Sequence, residues 1–243
     1  MQNEFINIAA HELRTPVQPI IGLSQILLSK RGKIEDHIEL IQTISRNAKR
    51  LQRLTEDILD VTKIESNSLR LNNEIFELSD LISNIVRDFG IQINGEDSKG
   101  LKINYEDKAG SEDQEKSSFL VKADKARISQ VIVHLLDNAI KFTGEGSITI
   151  NLKREESSST YTKHNQTIGV VSVKDSGSGI DSDIMPRLFE KFASKSFQGT
   201  GLGLFISKKI IEAHGGKIWA ENNTNQKGAT FYFSLPKFSN IRK

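Results

Sequence analysis

The sequence predicts an α+β protein: an antiparallel helical hairpin, expected to pair into a dimeric four-helix bundle, followed by an α/β sandwich with a mixed sheet. Three observations carry that expectation. Up to about residue 65 apolar side chains recur at helical spacing with no strand signal; the period changes near residue 69; and beyond it strand-length apolar runs alternate with helical patterns.

The 243 residues suit one large domain or two modest ones. With 37% hydrophobic residues, 26% charged residues and 4 Pro, the composition excludes disorder and fibrous structure as whole-chain accounts. The 33 Lys and Arg face 31 Asp and Glu, so the formal charge is only +2, which gives no footing for nucleic-acid binding. The absence of Cys excludes disulfides, thiolate metal sites and cysteine nucleophiles, and fits a reducing compartment. No apolar run approaches the ~18 residues of a membrane span, and no signal-peptide pattern opens the chain. The expectation is a soluble, cytoplasmic chain with no membrane contact of its own. The short lead before His11 reads as an excised core or a naturally short protein, with a longer parent open to membrane tethering.

Two helical patterns flank the polar stretch Ser29-Lys30-Arg31-Gly32-Lys33. In the second, Ile34, Ile38, Ile41, Ile44, Ala48, Leu51, Leu54, Ile58, Val61 and Ile64 step by threes and fours. Two helices alone cannot hide such faces from water, so a homodimer is expected. In the first, Ile6, Ala9, Leu13, Val17, Ile20 and Leu27 share a side. His11 falls about half a turn away, with Thr15 beside it, so both face solvent. Pro16 and Pro19 each remove a helical hydrogen bond, so a bend just after His11 is expected.

A hinge is expected near Asn67 to Asn72. Leu69, Leu71 and Ile75-Phe76 read as a short strand, 78–92 as a helix, 101–105 as a strand and 106–118 as a polar loop. Asp124 is a candidate N-cap for a helix to about Phe142. Strand candidates follow at 147–153 and 167–175 around a hairpin tip at 157–165. Then come a short helix near 184–189, a helix over 201–214, and strands at 217–221 and 229–235. Gly215 suits a left-handed cap, and His214 stands where a cation meets the helix dipole. The helices are expected on one face of the sheet. The domains are read as 1–67, 68–238 and a tail at 239–243.

Four constellations can carry chemistry. His11-Glu12-Leu13-Arg14-Thr15-Pro16 sets an exposed imidazole beside a carboxylate that can take its other proton, the requirement for a nucleophilic histidine; a lone exposed histidine is equally an ordinary surface residue. His134, Asn138 and Lys141 share one side of the 124–142 helix, where an amide oxygen beside an ammonium suits Mg²⁺ and phosphate, or simply a solvated face. Asp175-Ser176-Gly177-Ser178-Gly179 ends a strand with a carboxylate able to accept from an exocyclic amine, or is only a turn. Gly199-Thr200-Gly201-Leu202-Gly203-Leu204 opens a helix with backbone N–H groups suited to phosphate, but is neither a Walker A motif nor a dinucleotide fingerprint.

In their order these segments resemble the histidine kinases of two-component signalling, from about Phe5 to Pro236. FINIAAHELRTP looks like the family's H box, LLDNAIKFT its N box, VKDSGSGID its first glycine box, LFEKF its phenylalanine box and GTGLGLFISKKIIEAHGG its second glycine box. The resemblance implies a dimerisation and phosphoacceptor hairpin followed by an ATP-binding domain of the GHKL fold. It makes His11 the phosphorylated residue and Glu12 its base, with Thr15 orienting a water when the enzyme acts as a phosphatase. Asn138 would hold Mg²⁺, Lys141 would contact phosphate and Asp175 would read the adenine amine. Gly177 and Gly179 would shape the base pocket. Gly201 and Gly203, within the run Gly199, Thr200 and Leu202, would wrap the phosphates, and Phe189 and Phe192 would anchor the lid.

The implied cofactors are ATP and Mg²⁺, and the implied partner is a response regulator receiver domain, none of which lies within the chain. Two features depart from the family. His134 stands where a second Asn is common, and imidazole is a poorer Mg²⁺ ligand. The segment between Phe192 and Gly199 is short for a lid, leaving Lys195 as its cation. The leading expectation is an ATP-dependent protein histidine kinase. The alternatives are a degenerate kinase serving as a dimeric nucleotide-sensing scaffold, and a GHKL-type ATPase that hydrolyses ATP for conformational work.

Overall fold

The computed structural model describes residues 2–29, 37–93, 100–107, 118–157, 166–193, 201–224 and 227–239. Two compact units divide the chain: residues up to Leu69 together with Gly201 and Leu202 form one, and Arg70–Ala193 with the residues from Gly203 onward form the other.

The first unit is a helical hairpin of α1 (Gln2–Ser29) and α2 (Ile38–Glu65). Ala9 and Pro16 of α1 and Leu54 and Val61 of α2 are buried, with Leu13, Val17, Ile44, Leu51 and Ile58 half-buried. The apolar stripe of α2 is only partly covered, since Ile38 and Ile41 stay 47% and 44% exposed and Leu28 of α1 is 88% exposed. Both prolines lie inside α1, which runs unbroken through them. The backbone hydrogen bonds they forgo leave the carbonyls of Glu12 and Thr15, four residues earlier, without their helical donors. Asn67 closes α2 in a left-handed conformation, φ 51°, with its N–H on the Ile64 carbonyl at 3.1 Å. The connection expected after Ser29, Ile34 included, lies outside the described residues.

The second unit runs β1 (Glu74–Glu77), α3 (Leu78–Ile93), β2 (Leu101–Asp107), β3 (Leu120–Ala123), α4 (Lys125–Phe142), β4 (Gly146–Ser157), β5 (Gln166–Asp175), α5 (Gly203–Ala213), β6 (Ile218–Asn222) and β7 (Ala229–Pro236). The main sheet has the order β2-β4-β5-β7-β6; β2 and β4 are parallel and the other pairs antiparallel. It is therefore mixed, as the sequence predicts. Alternation sorts its two faces. Ile148, Ile150, Leu152, Val171, Val173, Phe231 and Phe233 are buried together with Ile128, Val131, Ile132 and Leu135 of α4 and Ile206, Ile210 and Ile211 of α5. The intervening Asn151, Lys153, Ser172, Lys174 and Tyr232 line a shallow polar concavity on the other face.

Several local expectations need correction. β1 spans only Glu74–Glu77, so Leu69 and Leu71 are not in the strand, and β1 pairs antiparallel with a strand the sequence did not reveal, β3. β3 is four residues long, too short to declare a period. The expected helix near 184–189 is a single 3₁₀ turn, Met185–Arg187, with Pro186 contributing no N–H to extend it. β2 runs on to Asp107 and β4 to Ser157, into stretches expected as loop; 108–117 and 158–165 lie outside the described residues. Gly215 does take the left-handed cap, φ 75°. His214 is not the expected cation at the dipole: its Nδ1 meets the Ile210 carbonyl at 2.8 Å and its Nε2 accepts the Asp124 N–H at 2.9 Å, which requires a neutral ring.

Candidate functional site

On the hairpin, the His11 side chain is 72% exposed, the orientation its offset from the apolar stripe predicts. Its Nδ1 lies 3.6 Å from Glu12 Oε1, beyond hydrogen-bond length but within reach of a small rotamer change. The other Glu12 oxygen, Oε2, is shielded from water and faces Arg50 Nη2 of α2 at 3.5 Å. The carboxylate thus lies between an imidazole and a guanidinium. Thr15 Oγ1 donates to the His11 carbonyl at 3.1 Å and is exposed on the same side of the helix.

In the second unit α4 begins where Asp124 Oδ1 accepts the Arg127 N–H, as the sequence predicts, while Asp124 Oδ2 accepts the N–H of Asn72. The helix buries Ile128, Val131, Ile132, Leu135, Leu136 and Ala139, and leaves His134, Asn138 and Lys141 half-buried on another side. Its last turn meets the loop that follows β5. Ser178 N–H donates to the Phe142 carbonyl at 3.3 Å, and a Cβ on Gly177 would stand 2.3 Å from that same oxygen. Only glycine permits this approach. The loop is thereby fastened against the helix end that carries Asn138 and Lys141.

Asp175, at the end of β5, is 4% exposed. Its Oδ1 accepts the N–H of Gly177 at 2.8 Å and that of Ala229 at 3.3 Å, while Oδ2 takes no hydrogen bond among the described residues. Burial raises its pKa above the ordinary carboxylate value, and the two backbone N–H groups pull the other way. One oxygen is therefore fixed and the other is available to an outside donor such as an amine. Gly179 is left-handed, φ 79°.

Beyond this loop, Phe189 and Phe192 are half-buried, Phe192 with a left-handed φ of 61°, and Lys191 Nζ lies 5.2 Å from the Phe205 ring centre. Gly201 has φ 66°, Leu202 is fully buried, and Gly203 opens α5. A Cβ on Gly203 would meet the His134 ring at 3.4 Å, and His134 Nδ1 pairs with the buried Ser207 Oγ at 3.2 Å. His134 thus packs α4 against the start of α5. Lys195, Gly199 and Thr200 lie outside the described residues.

The residues fit a magnesium nucleotide. Among the described residues no group of three or more His, Asp or Glu is placed to hold a bare metal ion. The Asn138 amide oxygen would be one ligand of a hard cation, and with nucleotides phosphate oxygens and water usually supply the rest of the shell of Mg²⁺. Sequence reasoning missed Asn222, at the end of β6, and Asn223 and Gly228, in the turn that follows, all of which touch the Asp175 loop. The glycine among polar residues between two strands was the only signal of them.

Residues 1–67 match the family model of the His Kinase A (phospho-acceptor) domain, and residues 123–239 that of the histidine kinase-, DNA gyrase B- and HSP90-like ATPase. The chain is 31% identical over 241 residues to the sensory/regulatory protein RpfC of Xanthomonas campestris pv. campestris, covering 97% of this chain and 31% of RpfC. It is 31% identical over 241 residues to the signal transduction histidine-protein kinase BarA of Escherichia coli strain K12, covering 97% and 24%. It spans less than a third of the length of either relative. Among solved structures, the Acinetobacter baumannii histidine kinase AdeS is similar with a TM-score of 0.67 and 25% identity, over 94% of this chain and 98% of that one. A nucleotide-free catalytic domain of the histidine kinase ThkA has a TM-score of 0.53 and 35% identity, over 68% and 96%. Among the described residues no helix is long and apolar enough to cross a membrane. With both family models matched in this order along one chain, the chain belongs to the histidine kinases of two-component signalling and comprises their phospho-acceptor and ATPase core.

Proposed function

We propose that this chain autophosphorylates His11 from ATP and passes the phosphoryl group to an aspartate on the receiver domain of a response regulator. The observation that carries the reading is the outward His11 ring with the Glu12 carboxylate 3.6 Å behind its Nδ1. Nε2 attacks the γ-phosphorus, the bond from that phosphorus to the bridging oxygen breaks, ADP leaves, and the Nδ1 proton passes to Glu12. Arg50 keeps the carboxylate beside the ring. Asp175 Oδ2 accepts from the adenine amine, Gly177 and Gly179 let the loop lie along the base, and Lys141 and the backbone at Gly201 and Gly203 meet phosphate oxygens. Asn138 would hold Mg²⁺, which neutralises charge on the phosphates when bound. Lys195, Gly199 and Thr200 are proposed for the same phosphate contacts.

The working unit is a homodimer in this reading. Leu28, Ile38 and Ile41 leave an uncovered apolar strip on the hairpin that a second copy would bury. Thr15, on the His11 side of the helix, is the residue proposed to orient water in a phosphatase reaction. The domain limits 1–67 and 68–238 are proposed as the functional boundaries.

The test is incubation of the chain with Mg-ATP labelled in the γ position, which should yield an acid-labile, base-stable phosphoprotein that His11→Gln abolishes. A second reading, a nucleotide-sensing scaffold without transfer, draws support from His134, which pairs with Ser207 where a second amide ligand is common. It predicts ATP binding by calorimetry with no label on the protein.

A further inference from the structure

The end of β6 and the turn that follows it carry two adjacent asparagines whose side chains satisfy backbone groups of the Asp175 loop. Asn222 Oδ1 accepts the Ile180 N–H at 2.7 Å, and its Nδ2 donates to the Ile180 carbonyl at 2.8 Å, so one amide pairs with both polar backbone groups of a single residue, as a strand neighbour would. Asn223 Nδ2 donates to the Asp175 carbonyl at 2.9 Å and to the Lys227 carbonyl at 3.2 Å, and its Oδ1 accepts the Thr230 hydroxyl at 2.7 Å. Its own N–H closes the turn on the Gly228 carbonyl at 3.0 Å. Gly228, φ 105°, lets the turn press on Asp175: a Cβ there would lie 2.1 Å from the Asp175 carbonyl oxygen and 2.9 Å from Oδ1.

The loop is therefore gripped from two sides. Gly177 and Ser178 fasten it to the end of α4, and the asparagine pair fastens Ile180 to the end of β6 and Asp175 to the turn beyond it. Asp175 Oδ1 is consumed by Gly177 and Ala229, so the position of the free Oδ2 is set by the backbone on both flanks. A carboxylate discriminates an amine from a carbonyl at the same position of a purine only if it cannot swing away.

We propose that Asn222 and Asn223 are positioning residues for base recognition, holding the Asp175 loop so that its free carboxylate oxygen selects an adenine over a guanine nucleotide. The proposal rests on the nucleotide-binding reading above, and adds to it the residues that give the base pocket its selectivity. Neither asparagine touches the nucleotide in this account.

The experiment is titration calorimetry of the full chain with ADP and, separately, GDP, for wild type, Asn223→Ala and the more exposed Asn222→Ala, alongside thermal melting of each. The wild type should bind ADP well above GDP. Asn223→Ala should weaken ADP by about tenfold and Asn222→Ala by about threefold, as expected for lost hydrogen bonds. Both should leave GDP affinity nearly unchanged, narrowing the ratio between the two. Equal affinity losses for ADP and GDP, or melting shifts with the ADP-to-GDP ratio intact, would reduce the pair to a fold-stabilising role and overturn the proposal. Should the wild type bind neither nucleotide, the parent reading fails with it, an outcome distinct from normal wild-type selectivity that both variants retain.

Discussion

The Nε2 atom of His214 accepts the backbone N–H of Asp124 at 2.9 Å, tying the C-terminal end of α5 to the N-cap of α4. The same ring meets the Ile210 carbonyl through Nδ1, and the Asp124 carboxylate serves Arg127 N–H and Asn72 N–H at once. One neutral imidazole thus joins the C-terminal end of α5 to the N-terminal end of α4. Replacing His214 by Ala leaves a part-buried N–H without its acceptor and should destabilise the chain by about 1–3 kcal/mol in urea unfolding. An unchanged unfolding midpoint would show that water replaces the ring at no cost.

Gly177 makes a second sharp test, because its Cα approaches the Phe142 carbonyl too closely for any side chain. Gly177→Ala should displace the loop from the end of α4 and weaken ADP binding by more than about tenfold, with a loss of stability of the order of 1–3 kcal/mol. Gly144→Ala, where nothing lies within 4 Å of the added carbon, is the control and should bind ADP as the wild type does. Calorimetry on the two variants separates the outcomes.

Asp175 is buried at a cost to the stability of the fold. Its pKa is raised from the ordinary 3.8 by burial, so the folded chain holds that proton more tightly than the unfolded one. The ionised carboxylate is thus a cost to the folded state above the raised value, and the cost disappears as the pH falls below 3.8. Asp175→Asn should therefore melt at or above the wild-type temperature at pH 7, and the advantage should vanish in acid. The same variant should lose ADP affinity by about a hundredfold or more, since an ionised acceptor bonds more strongly than an amide oxygen and the variant amide can turn its donor side to the base. Melting curves across pH, read beside calorimetry, check both halves.

The hairpin's uncovered strip makes a prediction about assembly. The double variant Ile38→Asp, Ile41→Asp places charge on side chains that are already exposed, so each hairpin should keep its helicity. Analytical ultracentrifugation should show the wild type as a dimer and the variant as a monomer. A variant dimer of unchanged affinity would place the association surface elsewhere.

Much of this architecture was legible because its signals are periodic. The faces of α4 follow from the spacing of Ile128, Val131, Ile132 and Leu135, and its start follows from Asp124, whose short side chain suits an N-cap. The exposure of His11 follows from its angle to Ala9, Val17 and Ile20. What stayed hidden depends on contacts distant in sequence. β3 is defined by its partner β1 rather than by a pattern of its own. The neutral state of His214 depends on Asp124, 90 residues away, while its position at a helix end pointed to a cation. Asn222 and Asn223 carry no local signal of their own, and the fold alone sets them against Ile180 and Asp175, 42 and 48 residues earlier. Local chemistry announced the reactive groups, and the residues that aim them came only from the tertiary structure.

The most direct test of the account is the fate of the γ-phosphoryl group. With Mg-ATP the wild-type chain should acquire label that is stable to base and lost in acid, His11→Gln should acquire none, and Asn138→Ala should acquire little. Equal labelling of His11→Gln and the wild type would contradict the claim that the exposed imidazole is the acceptor.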